Sequence, residues 1–432
     1  MQRRDFLRYL GAGLALGTSL PLLESFAASK PTMPGNTGIN GRVVVIGGGM
    51  AGTTVAKYLR FWGGTGVQVT LIEPNPQYYS NIFSNMVLTG ERTLAQLTYN
   101  YNALKTNYGV KVEPYSVTAI DPQLNKVTLN SGKTISYDRL VIAPGIDFYA
   151  LPITGTPTAR AKVVHAWKAG AQTLALQKQI AAMTNKDSFI LTIPAKPYRC
   201  PPGPYERACV VADYLKRVKK GGKVIVLDAN PGIQAEVENF TKAFNSIHKD
   251  TITYVPGAML NSINADTGTV VTSAGTFKGK VINAIPPHKA GAIITNSNIG
   301  LANVDNNRWA GVDVLTYASS IYPNIHIIGD AAATSQPKAG HIANAEAKVC
   351  ADAILKQLSG KPVNQNPMTN SACFTPITKT TASWLSVVYR YDPATRSMLP
   401  TGSGVTESSS INKDNYEEML KWFSNLMSDT FA

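Results

Sequence analysis

The chain has 432 residues, of which 44% are hydrophobic and 16% charged, and Lys and Arg exceed Asp and Glu by 14. This composition is not that of a disordered or fibrous protein, and the length allows about two or three domains with separate cores. The basic balance suits an acidic partner, but we find no nucleic-acid-binding motif. Four cysteines are too few for a disulfide-stapled scaffold, and neither they nor the five histidines have metal-site spacing.

The first 29 residues have the pattern of an export signal. Arg3 and Arg4 precede an apolar run from Leu10 to Leu23, and small residues follow up to Ser29. This run is shorter than the roughly 17 apolar residues that a spanning helix needs. The pattern therefore predicts export by the twin-arginine route, removal of residues 1–29, and a mature periplasmic protein without a transmembrane segment.

A dinucleotide-binding loop follows a polar linker. The strand 42–46 leads into Gly47, Gly49 and Gly52, a helix is predicted over 51–61, and a second strand ends in Glu73. The glycines permit a tight turn, close approach to a pyrophosphate and packing of the helix on the strand, while Glu73 is placed to accept ribose hydroxyls. In this strand, loop, helix and strand context the motif predicts a dinucleotide site.

Two later segments indicate which dinucleotide is bound. Residues 137–145, which end in Gly145, and residues 324–332, which contain Asp330, resemble signatures of the glutathione reductase superfamily of two-dinucleotide-domain flavoproteins. The resemblance implies FAD, with Asp330 on the ribityl chain. A helix N-cap is the alternative role for Asp330.

A second copy of this half-fold has lost its phosphate loop. The strands 189–193 and 223–227 repeat the arrangement, and Asp228 stands where Glu73 stands in the first copy. The loop 194–204 has four prolines before Gly203, and proline has no N–H to donate to phosphate. We therefore expect no NAD(P)H site in this copy, and electrons that come from a substrate oxidised at the flavin.

The replacement loop carries Cys200 and leads into a helix predicted from about Pro204. The segment 199–207 resembles the active-site segment of the flavoprotein subunit of flavocytochrome c sulfide dehydrogenase and of the related sulfide:quinone oxidoreductases. The resemblance implies a redox pair of Cys200 with Cys373, places Glu206 near the flavin, and relates Trp422 to a tryptophan near its ring. Relatives that attach FAD covalently use a Tyr-Tyr-x-Cys segment, whereas this chain has Asn81 at the cysteine position, so we expect noncovalent FAD.

Several of these residues also have simpler interpretations. Cys200 and Cys373 could form a purely structural disulfide, and Glu206 could serve only to offset the helix dipole. We expect Cys209 and Cys350 to be small buried core residues, and Trp167 to belong to the core.

The sequence thus predicts an α/β protein with two Rossmann-like domains and a smaller C-terminal α+β domain. We expect an FAD-binding domain at 40–153 and 294–358, a second Rossmann-like domain at 154–293, and a flavin-covering, partner-docking domain at 359–432. The resemblance implies oxidation of sulfide to sulfur or polysulfide, with electrons passed to a c-type cytochrome subunit, because the chain has no haem attachment motif of its own. The alternatives are a sulfide:quinone oxidoreductase, bound to a membrane surface through the amphipathic tail 416–431, and a redox-inert FAD-binding scaffold.

Overall fold

The computed structural model describes residues 33, 35–219 and 221–432, so the predicted export signal lies outside the described residues. Short apolar, β-branched segments form most of its buried strands, which is typical of parallel sheets covered by helices on both faces. The α/β fold class predicted from the sequence is confirmed by two sheets whose neighbouring strands are mostly parallel; in the larger sheet, Ala318–Ser319 pairs antiparallel with both of its neighbours.

The larger sheet has eight strands and carries the dinucleotide loop. The strand Gly41–Ile46 pairs in parallel with Val67–Ile72 on one side and with Arg139–Ile142 on the other. The helix Met50–Gly63 begins four residues after the first strand, close to its predicted start. In sheet order the strands are Ala332–Ala333, Ala310–Asp313, Ala318–Ser319, Ile325–Ile327, Arg139–Ile142, Gly41–Ile46, Val67–Ile72 and Lys111–Glu113.

The second parallel sheet has four strands and corresponds to the altered repeat. Its order is Ile252–Pro256, Lys223–Asp228, Ser188–Ile193 and Val281–Ala284. The helix Gly203–Val218 follows the proline-rich loop and starts one residue before the predicted Pro204. Two antiparallel strands, Ile146–Phe148 and His288–Ala290, pair where the chain enters and leaves this region.

The C-terminal part combines an antiparallel sheet with a long helix. Its strands are Met368–Pro376, Ala382–Asp392, Ser397–Pro400 and Thr406–Glu407. The helix Lys413–Phe431 buries its apolar side chains in the core that surrounds the helix Met50–Gly63. Its Phe423 stacks on Phe83 with 4.2 Å between ring centroids. None of the helices in the described ranges has the length and hydropathy needed to cross a bilayer.

The remaining elements connect these layers, and most of them are short, although the helix Gly340–Leu358 is as long as Lys413–Phe431. The other helices are Ser84–Leu88, Asn102–Tyr108, Pro157–Arg160, Ala171–Ala181, Val237–Lys242, Ala292–Thr295 and Gly340–Leu358, with single turns at Ala95–Leu97, Ala243–Ile247 and Gly329–Ala331. The other strands are Gln77–Tyr79, Thr98–Asn100, Val117–Asp121, Lys126–Leu129, Thr134–Ser136, Ile153–Thr154, Leu260–Asn264, Thr269–Thr272 and Gly275–Lys278.

Candidate active site

A single cavity of about 660 Å³ receives residues from three parts of the chain. It lies at the carboxyl edge of the larger sheet, where ligands of open α/β sheets bind. Most of the candidate site residues line it: Gly47, Gly49, Glu73, Gly145, Cys200, Glu206, Asp330, Cys373 and Trp422. Gly52 is the exception, because it packs against the back of the glycine loop and does not line the cavity.

The glycine loop has the close contacts that a dinucleotide cradle requires. Gly47 has a φ of +99°, and a Cβ on Gly52 would lie 1.8 Å from the carbonyl oxygen of Gly47. A side chain at Gly52 would therefore push the helix Met50–Gly63 away from the loop. Gly49 precedes this helix, whose N-terminal residues line the cavity without an acidic side chain in the first turn. Such a helix end favours a phosphate group.

Two carboxyl groups reach the same cavity from strand ends. Glu73 Oε2 accepts the N–H of Gly48 at 2.8 Å, which holds this acid against the loop. Asp330 lies in the turn Gly329–Ala331, and its carboxyl has no hydrogen bond or ion pair with any described residue. Burial raises its pKa. An unpaired carboxyl in the cavity wall fits the hydroxyl groups of an FAD ribityl chain, and the residues present therefore fit this cofactor.

Cys200 is fixed by an unusual backbone conformation. Its φ is +60°, a left-handed conformation that costs a non-glycine residue of the order of 1–3 kcal/mol. Its N–H donates to the carbonyl of Lys338 at 2.7 Å, and its carbonyl accepts the N–H of Gly203. A Cβ on Gly203 would lie 2.8 Å from the Cys200 sulfur, so glycine is needed beside it. These contacts aim the thiol at the start of the helix Gly203–Val218.

Cys373 faces the same cavity from the strand Met368–Pro376. Both Cys200 and Cys373 are free thiols, so the disulfide expected from the resemblance is not formed in this structure. Burial raises the pKa of each thiol, for Cys373 to about 12, and the nearby Cys373 further raises the pKa of Cys200. The structure thus brings the two predicted cysteines together in the state that a reduced pair would adopt.

Glu206 lies one turn into the helix Gly203–Val218, within the cavity wall. Burial raises its pKa to about 7, and the hydrogen bond that Asn85 Nδ2 donates to it at 2.9 Å acts in the opposite direction. A carboxyl group with a pKa near 7 exchanges protons readily at neutral pH. A role limited to the helix dipole does not explain its burial.

Arg207 and Asn85 belong to the site although no sequence pattern predicted a role for either residue. Arg207 is 1% exposed, and its guanidinium donates to Asn85 Oδ1, Asn283 Oδ1 and the carbonyls of His165 and Ala166. Its guanidinium lies 4.6 Å from the centre of the Trp167 ring. Trp167 is buried as expected, but it also lines the cavity, which the core assignment missed.

Trp422 lines the cavity from the C-terminal helix. It packs against Phe374, with 5.5 Å between ring centroids, and its buried Nε1 has no hydrogen-bond partner among the described residues. Cys209 and Cys350 are both fully buried and lie outside the cavity wall, as predicted for core residues. No cluster of metal-ligating side chains occurs in the part of the chain that the structure describes.

The acid of the altered repeat is enclosed by protein, whereas Glu73 accepts from Gly48 and Asn75 and still lines the cavity. Asp228 is fully buried, and its Oδ2 accepts hydrogen bonds from the hydroxyls of Tyr205 at 2.7 Å and Tyr254 at 2.9 Å. Its Oδ1 accepts from the backbone and side chain of Asn230. The carboxylate that could bind a nucleotide ribose here is already occupied by protein donors.

Comparisons with known families match three parts of the chain. Residues 173–286 match the central region of the sulfide dehydrogenase [flavocytochrome c] flavoprotein chain, and residues 365–431 match the flavin-binding region of flavocytochrome c sulphide dehydrogenase. Residues 41–188 match the pyridine nucleotide-disulphide oxidoreductase family.

Individual relatives are distant. The mitochondrial sulfide:quinone oxidoreductase of Mus musculus is 23% identical over 67% of this chain and 65% of its own length, and that of Dictyostelium discoideum is 22% identical over 81% and 78%. The solved sulfide:quinone oxidoreductase of Aquifex aeolicus superposes with a TM-score of 0.71 at 19% identity, covering 90% of this chain and 91% of that one. At this identity the superposition shows the fold.

Proposed function

Because the chain belongs to the FAD-binding family of flavocytochrome c sulfide dehydrogenase flavoproteins and related sulfide:quinone oxidoreductases, we propose that it oxidises sulfide and passes the electrons to a c-type cytochrome. The observation that carries the proposal is the meeting of Cys200, Cys373 and Glu206 in one cavity with the FAD-binding loop. FAD, when bound there, supplies a two-electron acceptor.

The cysteine pair accounts for capture of the substrate. Hydrosulfide attacks the Cys200–Cys373 disulfide, a new S–S bond forms to one cysteine, and the other leaves as a thiolate. The persulfide and the thiolate together keep the negative charge that hydrosulfide brought. The thiolate holds the electron pair of the broken bond. Loss of this pair to a two-electron acceptor joins the thiolate to the persulfide as a trisulfide and releases one proton. A second hydrosulfide then carries the extra sulfur away as HSS⁻, a polysulfide, and the Cys200–Cys373 disulfide is restored.

Glu206 is placed to take up the proton of the bound sulfur. Oxidation of hydrosulfide to the level of sulfur releases one proton and two electrons, and the proton has to leave a buried cavity. Asn85 donates to Glu206 and is itself held by a hydrogen bond from Arg207, so the carboxyl can accept this proton without moving.

The C-terminal helix favours a protein acceptor over a membrane quinone. The apolar side chains of the tail 416–431 pack inside the protein, where Phe431 stacks on Tyr78 with 5.1 Å between ring centroids. This apolar face is therefore not available to insert into a membrane surface. Because residues 1–29 have the pattern of a twin-arginine signal, we expect the protein to act in the periplasm, where c-type cytochromes are available as partners. A quinone acceptor is the second candidate, since the relatives named above are sulfide:quinone oxidoreductases.

Steady-state turnover tests the acceptor. With sulfide as donor, the FAD-loaded protein should reduce cytochrome c in the absence of detergent and should reduce a soluble ubiquinone analogue at least about tenfold more slowly. Faster reduction of the quinone would assign the second candidate instead. A redox-inert FAD scaffold would reduce neither acceptor.

A further inference from the structure

A buried carboxyl group that the sulfide chemistry described above does not use lies behind the cavity wall. Glu236 is 4% exposed and has a φ of +51°, a left-handed conformation like that of Cys200. Within residues 35–219 and 221–432 it has no ion-pair partner. The fold thus buries a lone carboxyl in a strained backbone, a combination that is found at functional sites.

Two hydroxyl groups of the C-terminal sheet hold this carboxyl. Thr375 Oγ1 lies 2.9 Å from Glu236 Oε1 and 2.8 Å from Oε2, and the Ser383 hydroxyl donates to Oε2. Thr375 and Ser383 are directly opposite in the sheet, with 2.9 Å between their hydroxyl oxygens. Because each hydroxyl can either donate or accept, this cluster can hold Glu236 in its charged or its protonated form.

Thr375 connects the carboxyl to the cavity. It is two residues from Cys373 on the strand Met368–Pro376, and alternate strand residues project on the same face. Both residues line the cavity, whereas Ser383 does not. Thr375 is therefore the residue of this cluster that shares both the cavity wall and a strand face with Cys373.

We propose that Glu236 exchanges a proton with the Cys373 sulfur through the hydroxyl of Thr375, an inference that rests on the proposed function. In the forward direction the S–H bond of Cys373 breaks, Thr375 takes that proton and gives its own to the carboxylate. A thiol and a carboxylate become a thiolate and a carboxylic acid, so the charge is unchanged and no redox step occurs. The reverse transfer protonates a thiolate that leaves the disulfide.

The exchange explains why the site has two buried acids. With sulfide, Glu206 takes the proton of the substrate sulfur, and Glu236 serves the Cys373 sulfur. With a dithiol reductant, closing the two thiols into the disulfide releases two protons with the two electrons, and Glu206 alone would accept only one. Burial raises the pKa of Glu236 to about 8, which brings it closer to the pKa of the Cys373 thiol. The charges of Glu407 and Glu206 also raise the pKa of Glu236. The charge of Glu236 in turn raises the pKa of Cys209 and of Cys373.

Flavin reduction with two different donors tests the proposal. Anaerobic reduction of the FAD-loaded protein is followed from pH 6 to pH 9 with sulfide and, separately, with dithiothreitol, which opens the disulfide without sulfide. Ionisation of the donor affects both proteins equally, so it cancels in the ratio of the wild-type rate to the Glu236→Gln rate. This ratio is the quantity that tests the proposal. It should rise with pH, because only the ionised carboxylate accepts a proton, and should reach about 10²-fold. A ratio near one at every pH overturns the proposal.

Matched variants separate proton transfer from packing. Thr375→Val removes the hydroxyl and should behave like Glu236→Gln, while Thr375→Ser keeps the hydroxyl and should stay within about twofold of wild type. Glu407→Gln removes a neighbouring charge but leaves Glu236 and Thr375 unchanged. In this background the ratio of rates with and without Glu236→Gln should still rise with pH. Equal rates for the valine and serine variants at position 375 would contradict transfer through the hydroxyl.

If a variant loses FAD, the coupling of Glu236 to Cys373 can still be measured without flavin reduction. In the reduced Cys200→Ser protein, alkylation of Cys373 by iodoacetamide reports the thiolate population. Adding Glu236→Gln removes a negative charge, so alkylation should begin at lower pH, and an unchanged profile would show that the two groups are not coupled. If dithiothreitol gives the expected ratio and sulfide reduces nothing, the proton exchange stands and the proposed substrate fails.

Discussion

Asn85 donates a 2.9 Å hydrogen bond to Glu206 across 121 residues of sequence, and the same amide accepts from Arg207. The contact joins the short helix Ser84–Leu88 of the FAD-binding region to the helix that follows Cys200. Through this contact the FAD-binding region influences the protonation of the acid beside the cysteine pair.

Glu206→Gln should slow sulfide-dependent flavin reduction by about 10²-fold at pH 8, because the amide cannot accept a proton. The ratio of wild-type to variant rates should rise with pH around the Glu206 pKa of about 7 and then level off. Asn85→Ala removes a hydrogen bond to the charged form, so it should move this rise to higher pH. Stopped-flow absorbance between pH 5.5 and 9 measures both, and a Glu206→Gln profile equal to wild type would exclude this role.

The sequence predicted the parts of the site that depend on local order. Gly47 and Glu73 directly follow a strand, and Asp330 and Cys200 lie in the segments after Ile325–Ile327 and Ser188–Ile193. Their position at the carboxyl edge of a sheet could therefore be predicted from strand patterns and resemblance. Gly52 contacts the loop and not the cavity, as its packing role requires.

Contacts between distant segments could not be predicted in this way. Asn85 and Arg207 meet only after the two regions pack together, and no local pattern marks either residue. Glu236 is likewise defined by Thr375, 139 residues later in the chain. Trp167 was assigned to the core from its residue type, but burial and a place in a cavity wall are compatible.

FAD should be released when the protein is denatured. By resemblance Asn81 stands at the position of the attachment cysteine, and its Oδ1 accepts the N–H of Ala169 at 2.8 Å. Acid precipitation followed by filtration should leave all the yellow colour in the filtrate. Colour that stays with the polypeptide would mean a covalent link through another residue.

Neither NADH nor NADPH should reduce the flavin. The loop after the strand Ser188–Ile193 is rich in proline, and the Asp228 carboxylate is occupied by Tyr205, Tyr254 and Asn230. Under anaerobic conditions the oxidised flavin spectrum should persist for minutes after either nucleotide is added, while sulfide bleaches the same sample. Prompt bleaching by a nucleotide would show that the second Rossmann-like domain binds it.

Phe423→Ala should lower the free energy of unfolding by about 3–5 kcal/mol, since it empties the buried stack on Phe83. The matched control is Lys421→Ala, at an exposed position of the same helix, which should change it by less than about 0.5 kcal/mol. Urea denaturation followed by circular dichroism measures both. A small loss at Phe423 would contradict the internal packing of the tail and reopen its role at a membrane surface.

The most direct measurement of the central claim is anaerobic flavin bleaching by sulfide in Cys200→Ser and Cys373→Ser. Both cysteines line the cavity, so each variant should fold, retain FAD and lose most of the bleaching, because no disulfide remains for hydrosulfide to open. Cys209→Ser and Cys350→Ser, at buried positions outside the cavity, should bleach at rates close to wild type. Near wild-type bleaching by FAD-loaded Cys200→Ser protein would remove the cysteine pair from the reaction.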